Sequence, residues 1–120
     1  MIRSFSPQSV TIGMDVGTSG CRAMAIDQGG HIVARAERSF PKAEGADGES
    51  EQDPMMWWNA ARIVICALTS MLPPQSCRAL SVDGTSGTVL LSNAFGEPLS
   101  VALLYNDARA TVEAQQIKRV

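Results

Sequence analysis

Basic charge is scarce in this chain: ten lysines and arginines face twelve acids, for a net charge of −2. A nucleic-acid backbone is met by a basic stripe, and this sequence has none, so nucleic acid is not an expected partner. Lysine appears only as Lys42 and Lys118, and the pattern G-x-x-x-x-G-K-[ST] occurs nowhere, which excludes a P-loop nucleotide site. Gly13, Gly17 and Gly20 do not spell G-x-G-x-x-G, so a dinucleotide fold is disfavoured. The lone histidine, His31, has no Cys or His neighbour and is expected at the surface, which disfavours Ser-His-Asp hydrolysis. Cys21, Cys66 and Cys77 are odd in number and form no C-x-x-C pair, so they read as small buried apolar residues of a reduced protein. The N-terminus lacks the apolar block of a secretory signal, and the longest apolar run, Ile63 to Leu68, is too short to cross a bilayer. A cytoplasmic protein with no membrane partner is the expectation.

What the chain does have is an ordinary globular composition, 45% hydrophobic and 18% charged over 120 residues. A chain of that length buries roughly two thirds of its unfolded surface. Residues 1–9 read as a tail and residues 10–120 as one folded piece. Val10 to Met14 is a β-rich apolar run that stops at Asp15, Cys21 to Ile26 follows a Gly-Thr-Ser-Gly turn, and His31 to Glu37 follows Asp27-Gln28-Gly29-Gly30. This spacing predicts an antiparallel meander of three strands with a bulged second loop. Residues 43–53 then carry Glu44, Asp47, Glu49, Glu51 and Asp53 without a base, and read as a solvated loop.

Asp53-Pro54 predicts a helix start, with the Asp as N-cap, and Pro73-Pro74 ends the helix near Leu72. Trp57, Ala61, Val64, Leu68 and Met71 are its predicted inner face, widened by Trp58, Ile63 and Ile65. Both tryptophans are expected to pack in the core. A fourth strand at Ala79–Val82 ends at Asp83, and further strands are expected at Thr88–Leu91 and Val101–Leu104. A helix begins near Ala108 and meets no Gly or Pro stop before Val120, which suggests a fragment of a longer chain. A helix between strands one and four implies that those strands pair in parallel. The fold class is therefore α/β, a mixed sheet in which the meander is joined by parallel strands and crossover helices.

Three acids sit at predicted strand ends beside small polar residues: Asp15 before Val16-Gly17-Thr18-Ser19, Asp83 before Gly84-Thr85-Ser86, and Asp107 in Tyr105-Asn106-Asp107-Ala108-Arg109. Neighbouring parallel strands converge at their C-terminal ends, where α/β proteins bind ligands. Glycine backbone N–H groups and the Thr18 and Ser19 hydroxyls suit an anion, and Asp15 suits a magnesium ion that keeps most of its water. Each segment alone is also an ordinary turn; only their combination is specific.

That combination resembles the N-terminal part of the FGGY family of carbohydrate kinases, on the ribonuclease-H-like, actin-like ATPase fold. The resemblance rests on Ile12-Gly13-Met14-Asp15-Val16-Gly17-Thr18-Ser19, on Glu51-Gln52-Asp53-Pro54 with Trp57-Trp58, on Val89-Leu90-Leu91 and on Tyr105-Asn106-Asp107-Ala108-Arg109. It implies an ATP- and Mg²⁺-dependent kinase of a small sugar. Asp15 would organise the metal and the phosphoryl group, and Gly17, Thr18 and Ser19 would line the phosphate loop. Asp83, Gly84, Thr85 and Ser86 would border the sugar, with Thr85 and Ser86 bonding its hydroxyls. Tyr105 would pack against its carbon face, and Asn106, Asp107 and Arg109 would shape the polar rim. The proton-accepting Asp and the adenosine domain would lie beyond Val120, leaving the isolated piece inactive.

Xylulose kinases usually read Gln-Met-His-Gly where this chain has Gly84 to Gly87, and Trp at Tyr105; the variants here look more like sugar kinases that favour D-ribulose. Helix faces left for missing chain would let the piece self-associate as a homodimer. The competing readings are a non-catalytic binding module on the same fold and an actin- or chaperone-like ATPase. The Glu-Gln-Asp-Pro and Tyr-Asn-Asp segments argue against the last.

Overall fold

The protein is described by a computed structural model covering residues 9–42, 45–46 and 48–119. Glu44 and Asp47 of the acidic stretch, most of the N-terminal tail and Val120 lie outside the described residues. The chain divides into two compact units, Met1–Phe40 with Trp57–Gly84, and Pro41–Met56 with Thr85–Val120.

The first unit is a four-stranded sheet in the order β3 (Ile32–Ser39), β2 (Gly20–Asp27), β1 (Val10–Val16), β5 (Cys77–Gly84). Strands β1, β2 and β3 form the expected antiparallel meander, and β5 pairs in parallel with β1. Helix α1 (Pro54–Ser70) makes the crossover between them. Among the described residues there is one such parallel strand and one crossover helix, and the sheet is mixed as expected.

Alternation decides which face is covered. Val10, Ile12 and Met14 on β1 and Cys21, Ala23 and Ala25 on β2 are buried with Ala60, Val64 and Leu68 of α1. The intervening Thr11, Gly13, Asp15, Arg22 and Met24 are exposed, because successive strand residues point to opposite faces. Leu68 and Cys21 are fully enclosed. The small side chains of Ala23 and Ala25 leave room for the helix to approach. Gly20 has a similar reason: a Cβ there would stand 2.7 Å from the carbonyl oxygen of Arg38.

The α1 start is as expected, with Asp53 Oδ1 accepting the Met55 N–H at 2.8 Å. Its inner face is not. Ala60 replaces Ala61 as the buried residue, and Met71, Trp58 and Ile63 are exposed, Trp58 at 60%. The covered stripe is narrower than the apolar one because, among the described residues, α1 is the one helix of this unit and packs only its sheet-facing side. Trp58 is therefore not a core anchor among the described residues, and Cys66 and Cys77 are exposed as well.

The β2–β3 turn closes on Asp27. Its Oδ1 accepts the N–H groups of Gly29 at 2.8 Å and His31 at 2.9 Å, while Gly30 takes φ +82°. These bonds hold the Asp27 carboxyl below its ordinary range, the His31 backbone N–H first among them. His31 is at the surface, as expected, with its ring 3.2 Å from Asp27.

The second unit holds a short antiparallel pair, β4 (Glu51–Gln52) and β6 (Ala102–Leu103). This corrects two expectations. The acidic stretch is not simply a solvated loop, since Ser50 and Gln52 are buried and Glu51-Gln52 is a strand. The Val101–Leu104 strand shrinks to β6, which lies outside the β1 sheet, and Thr88–Leu91 supplies only a single bridge from Val89 to Leu103. Asn93 caps the turn that follows, its Oδ1 accepting the N–H groups of Phe95 and Glu97 at 2.9 Å. Helix α2 (Thr111–Ile117) ends the described chain and buries no side chain.

Candidate active site

In the first unit β1 runs through Asp15 to Val16, so Asp15 is the strand's penultimate residue and not its terminus. The reason is pairing on both sides: Asp15 opposes Arg22 of β2 and Asp83 of β5. Asp83 is likewise penultimate in β5, and its Oδ1 accepts the N–H of Gly84 at 2.8 Å. Two carboxylate-bearing residues thus stand level on adjacent parallel strands, each one residue from its strand's end.

Gly17 keeps the space beside Asp15 open. A Cβ at that position would stand 3.3 Å from Asp15 Oδ2 and 3.5 Å from Oδ1. The Gly17 N–H itself donates to the Gly20 carbonyl at 2.9 Å and closes the hairpin, so it is not an anion donor as the loop composition suggested. Ser19 lies on the same loop, where its Oγ accepts from Arg22 Nη2 at 3.4 Å. Arg22 Nη1 also stands 3.5 Å from Asp15 Oδ2, with both side chains about half exposed. Sequence reasoning missed Arg22, although counting across the hairpin places it opposite Asp15.

Mg²⁺ fits this place. An ion that keeps most of its water needs only one or two carboxylates. Asp15 offers one such carboxylate, with Asp83 level with it on β5; no group of three or more ligating side chains is found among the described residues. Beneath it, burial and then the Asp15 charge push the Cys21 thiol above its ordinary pKa.

In the second unit the Thr85-Ser86-Gly87 segment meets Tyr105. Gly87 takes φ +75°, and a Cβ there would stand 3.3 Å from Tyr105 Cβ. Tyr105 is exposed, and the turn that carries it closes through the Asp107 N–H to the Leu104 carbonyl at 2.9 Å. Asn106 lies exposed in the same turn. Asp107 does not follow a strand of the β1 sheet, so the expected convergence of three parallel strand ends holds for Asp15 and Asp83 alone. Nor do Asp107 and Arg109 present free charges, for they bond each other and Arg109 also bonds Glu51. The acids Glu49 and Glu51 were missed as partners; five acids without a base were the available signal.

The family model for the FGGY family of carbohydrate kinases, N-terminal domain, matches residues 10–120. The chain belongs to this family. The family's fold is that of its solved members: a crystal structure of xylulose kinase from Rhodospirillum rubrum superposes with a TM-score of 0.82 at 27% identity, over 92% of this chain and 23% of that one. Xylulose kinase of Staphylococcus epidermidis is 28% identical over 115 residues, which is 94% of this chain and 23% of that protein. Glycerol kinase of a Polaromonas species is 30% identical over 110 residues, 89% of this chain and 22% of the relative. The chain therefore spans less than a quarter of the length of these FGGY kinases. No described helix is long and apolar enough to cross a membrane.

Proposed function

We propose that the protein carrying this chain is an ATP-dependent kinase of a pentulose sugar, D-ribulose or D-xylulose in type. The observation that carries this reading is the Asp15 carboxylate, paired in register with Asp83 and given open space by Gly17, within a chain of the FGGY family. Phosphoryl transfer asks for positioning and charge neutralisation more than covalent chemistry. Mg²⁺, when bound with ATP, supplies charge neutralisation on the phosphates. Asp15 is the residue to hold it through water, with Asp83 beside it. Arg22 and the Ser19 hydroxyl, bonded to each other, present a cation and a donor to phosphate oxygens, with Thr18 and Gly17 in the same loop.

On the sugar side, Thr85 and Ser86 offer hydroxyls suited to a polyol. Tyr105 offers an aromatic face to the C–H side of a sugar, and Asn106 an amide to its hydroxyls. A small neutral polyol is the ligand class that such a set favours. The kinases of xylulose and glycerol among the relatives lend support to that class without choosing within it.

The test uses the complete reading frame that contains this chain. ATP consumption is followed with D-ribulose, D-xylulose, ribitol and glycerol. Turnover that depends on a ketopentose supports the reading. Turnover with glycerol alone replaces the pentulose by a triol, and turnover with none turns the weight to a non-catalytic binding module.

A further inference from the structure

Arg109 sets its guanidinium among three carboxylates. Nη2 donates to Glu51 Oε1 at 2.6 Å and to Asp107 Oδ2 at 2.7 Å. Nε donates to both Asp107 oxygens at 3.1 Å, and Nη1 stands 3.6 Å from Glu49 Oε1. Charge-assisted bonds of this kind are shorter and stronger than neutral ones. A neutral sugar hydroxyl competes poorly for donors already given to ionised carboxylates.

The cluster also ties two distant stretches of chain together. Asp107 Oδ2 accepts the Ser50 N–H at 3.0 Å, and its side chain is only 8% exposed. The Leu104 N–H donates to the Ser50 carbonyl at 2.9 Å, and the Ala108 N–H to the Gly48 carbonyl at 2.8 Å. Ser50 itself is buried. Tyr105 and Asn106 lie between two of these anchors, Leu104 and Asp107.

We propose that Arg109 is a positioning residue: with Asp107 and Glu51 it clamps residues 48–51 to the 104–109 turn and so holds Tyr105 and Asn106 for the ligand. This replaces the expectation that Arg109 lines the polar rim, and it rests on the reading that Tyr105 and Asn106 face a sugar. The hydrogen bonds that hold the Asp107 carboxyl well below the usual range, Arg109's first and Ser50's next, agree with a clamp that is ionised at neutral pH.

The test compares the complete protein with Arg109→Gln, Glu51→Gln, the double variant and Arg109→Lys. Hydrogen exchange is read on segments 48–52 and 102–109, with β1 and β2 as the folding control. Glu51→Gln should speed exchange in both segments by about tenfold, the scale of one lost charge-assisted bond, Arg109→Gln by at least as much because its bonds to Asp107 go too, and both should leave β1 and β2 unchanged. The sugar KM should rise by about tenfold in each, with kcat and the ATP KM held within about twofold. The double variant should be no worse than the worse single by more than about twofold, because Glu51 acts through its bond to Arg109, which Arg109→Gln already removes. Arg109→Lys should recover part of the loss, since an ammonium lacks the planar fork.

Unchanged exchange in the two segments would overturn the clamp. So would a fall in kcat with the sugar KM unmoved, which would put Arg109 on the reacting group, or losses that multiply in the double variant. A wild-type protein that turns over no sugar would remove the functional reading by itself, and the exchange data would still decide the clamp.

Discussion

Asp15 and Asp83 are register partners on adjacent parallel strands, each one residue from its strand's end. Like charges at the same level favour a cation between or beside them. Arg22 supplies one on the β2 side, at 3.5 Å from Asp15. That contact is long and half exposed, so it leaves the carboxylate available to a hydrated ion. A short, buried ion pair would not.

Removing the Asp15 charge should therefore damage chemistry and spare the fold. In the complete protein, Asp15→Asn is expected to cut turnover by at least about a hundredfold, on the scale of losing one preorganised electrostatic group. It should raise the Mg²⁺ concentration needed for half-maximal rate. Stability should move by no more than about 0.5 kcal/mol, as for an exposed substitution. Steady-state kinetics over a Mg²⁺ series, with urea melts alongside, check both halves. Retained turnover removes Asp15 from the metal role.

Gly87 has a different duty. With φ +75° and Tyr105 Cβ 3.3 Å from where its own would stand, it lets the Thr85-Ser86 segment turn tightly against Tyr105. Gly87→Ala should cost about 1–2 kcal/mol from the left-handed backbone and raise the sugar KM as Tyr105 is displaced. Gly13, with nothing within 4 Å of an added Cβ, is the contrast. Gly13→Ala should shift stability by less than about 0.5 kcal/mol. Equal melting points for the two variants would refute the argument.

Acid should reveal Asp107. Its carboxyl is held well below the ordinary range, by Arg109 first, then by the Ser50 N–H. A carboxyl lowered in the folded state stabilises fully above its unfolded pKa of about 3.9, and that share is lost as pH falls from there through the folded value. The wild-type melting temperature should therefore drop as pH falls below about 4, and Asp107→Asn should flatten that part of the slope while lowering the plateau above it. Parallel slopes for the two proteins would show that Asp107 is not a source of acid sensitivity.

The three cysteines should separate by reactivity. Cys21 is fully buried, and burial followed by the Asp15 charge raises its thiol pKa, which keeps the thiolate scarce. Cys66 and Cys77 are exposed. Iodoacetamide at mild pH, read by peptide mass, should label Cys66 and Cys77 and leave Cys21 untouched until the chain is denatured. Early labelling of Cys21 would mean that β2 opens from α1.

Much of the first unit was legible from residue order. The alternation of Val10, Ile12 and Met14 against Thr11, Gly13 and Asp15 marks a strand with one covered face, and the Asp27-Gln28-Gly29-Gly30 turn folds the next strand, β2, back as β3. Asp53-Pro54 and Pro73-Pro74 bound the helix because capping and the missing proline N–H act within a turn. Less visible was which stripe of α1 would be covered: Trp57 to Met71 is apolar almost all round, so periodicity alone could not separate Ala60 from Ala61 or retire Trp58. The two-residue strand β4 gave no signal, being too short and too polar to show any period.

Taken alone, the sequence determined the three-stranded meander, α1 and the strand after it in their order, the turn and cap chemistry, and the residues that carry the family resemblance. All of these rest on interactions between residues a few positions apart. Tertiary structure decided the rest: that Asp15 lies level with Asp83, that Asp107 belongs to a different sheet neighbourhood, and that Arg109 spends its donors on Glu51 and Asp107. Glu51 and Arg109 are separated by 58 positions, and Ser50 and Asp107 by 57. Pairings at that range follow from how the chain closes on itself, and closure depends on the summed burial and hydrogen bonding of whole segments. No local pattern encodes them.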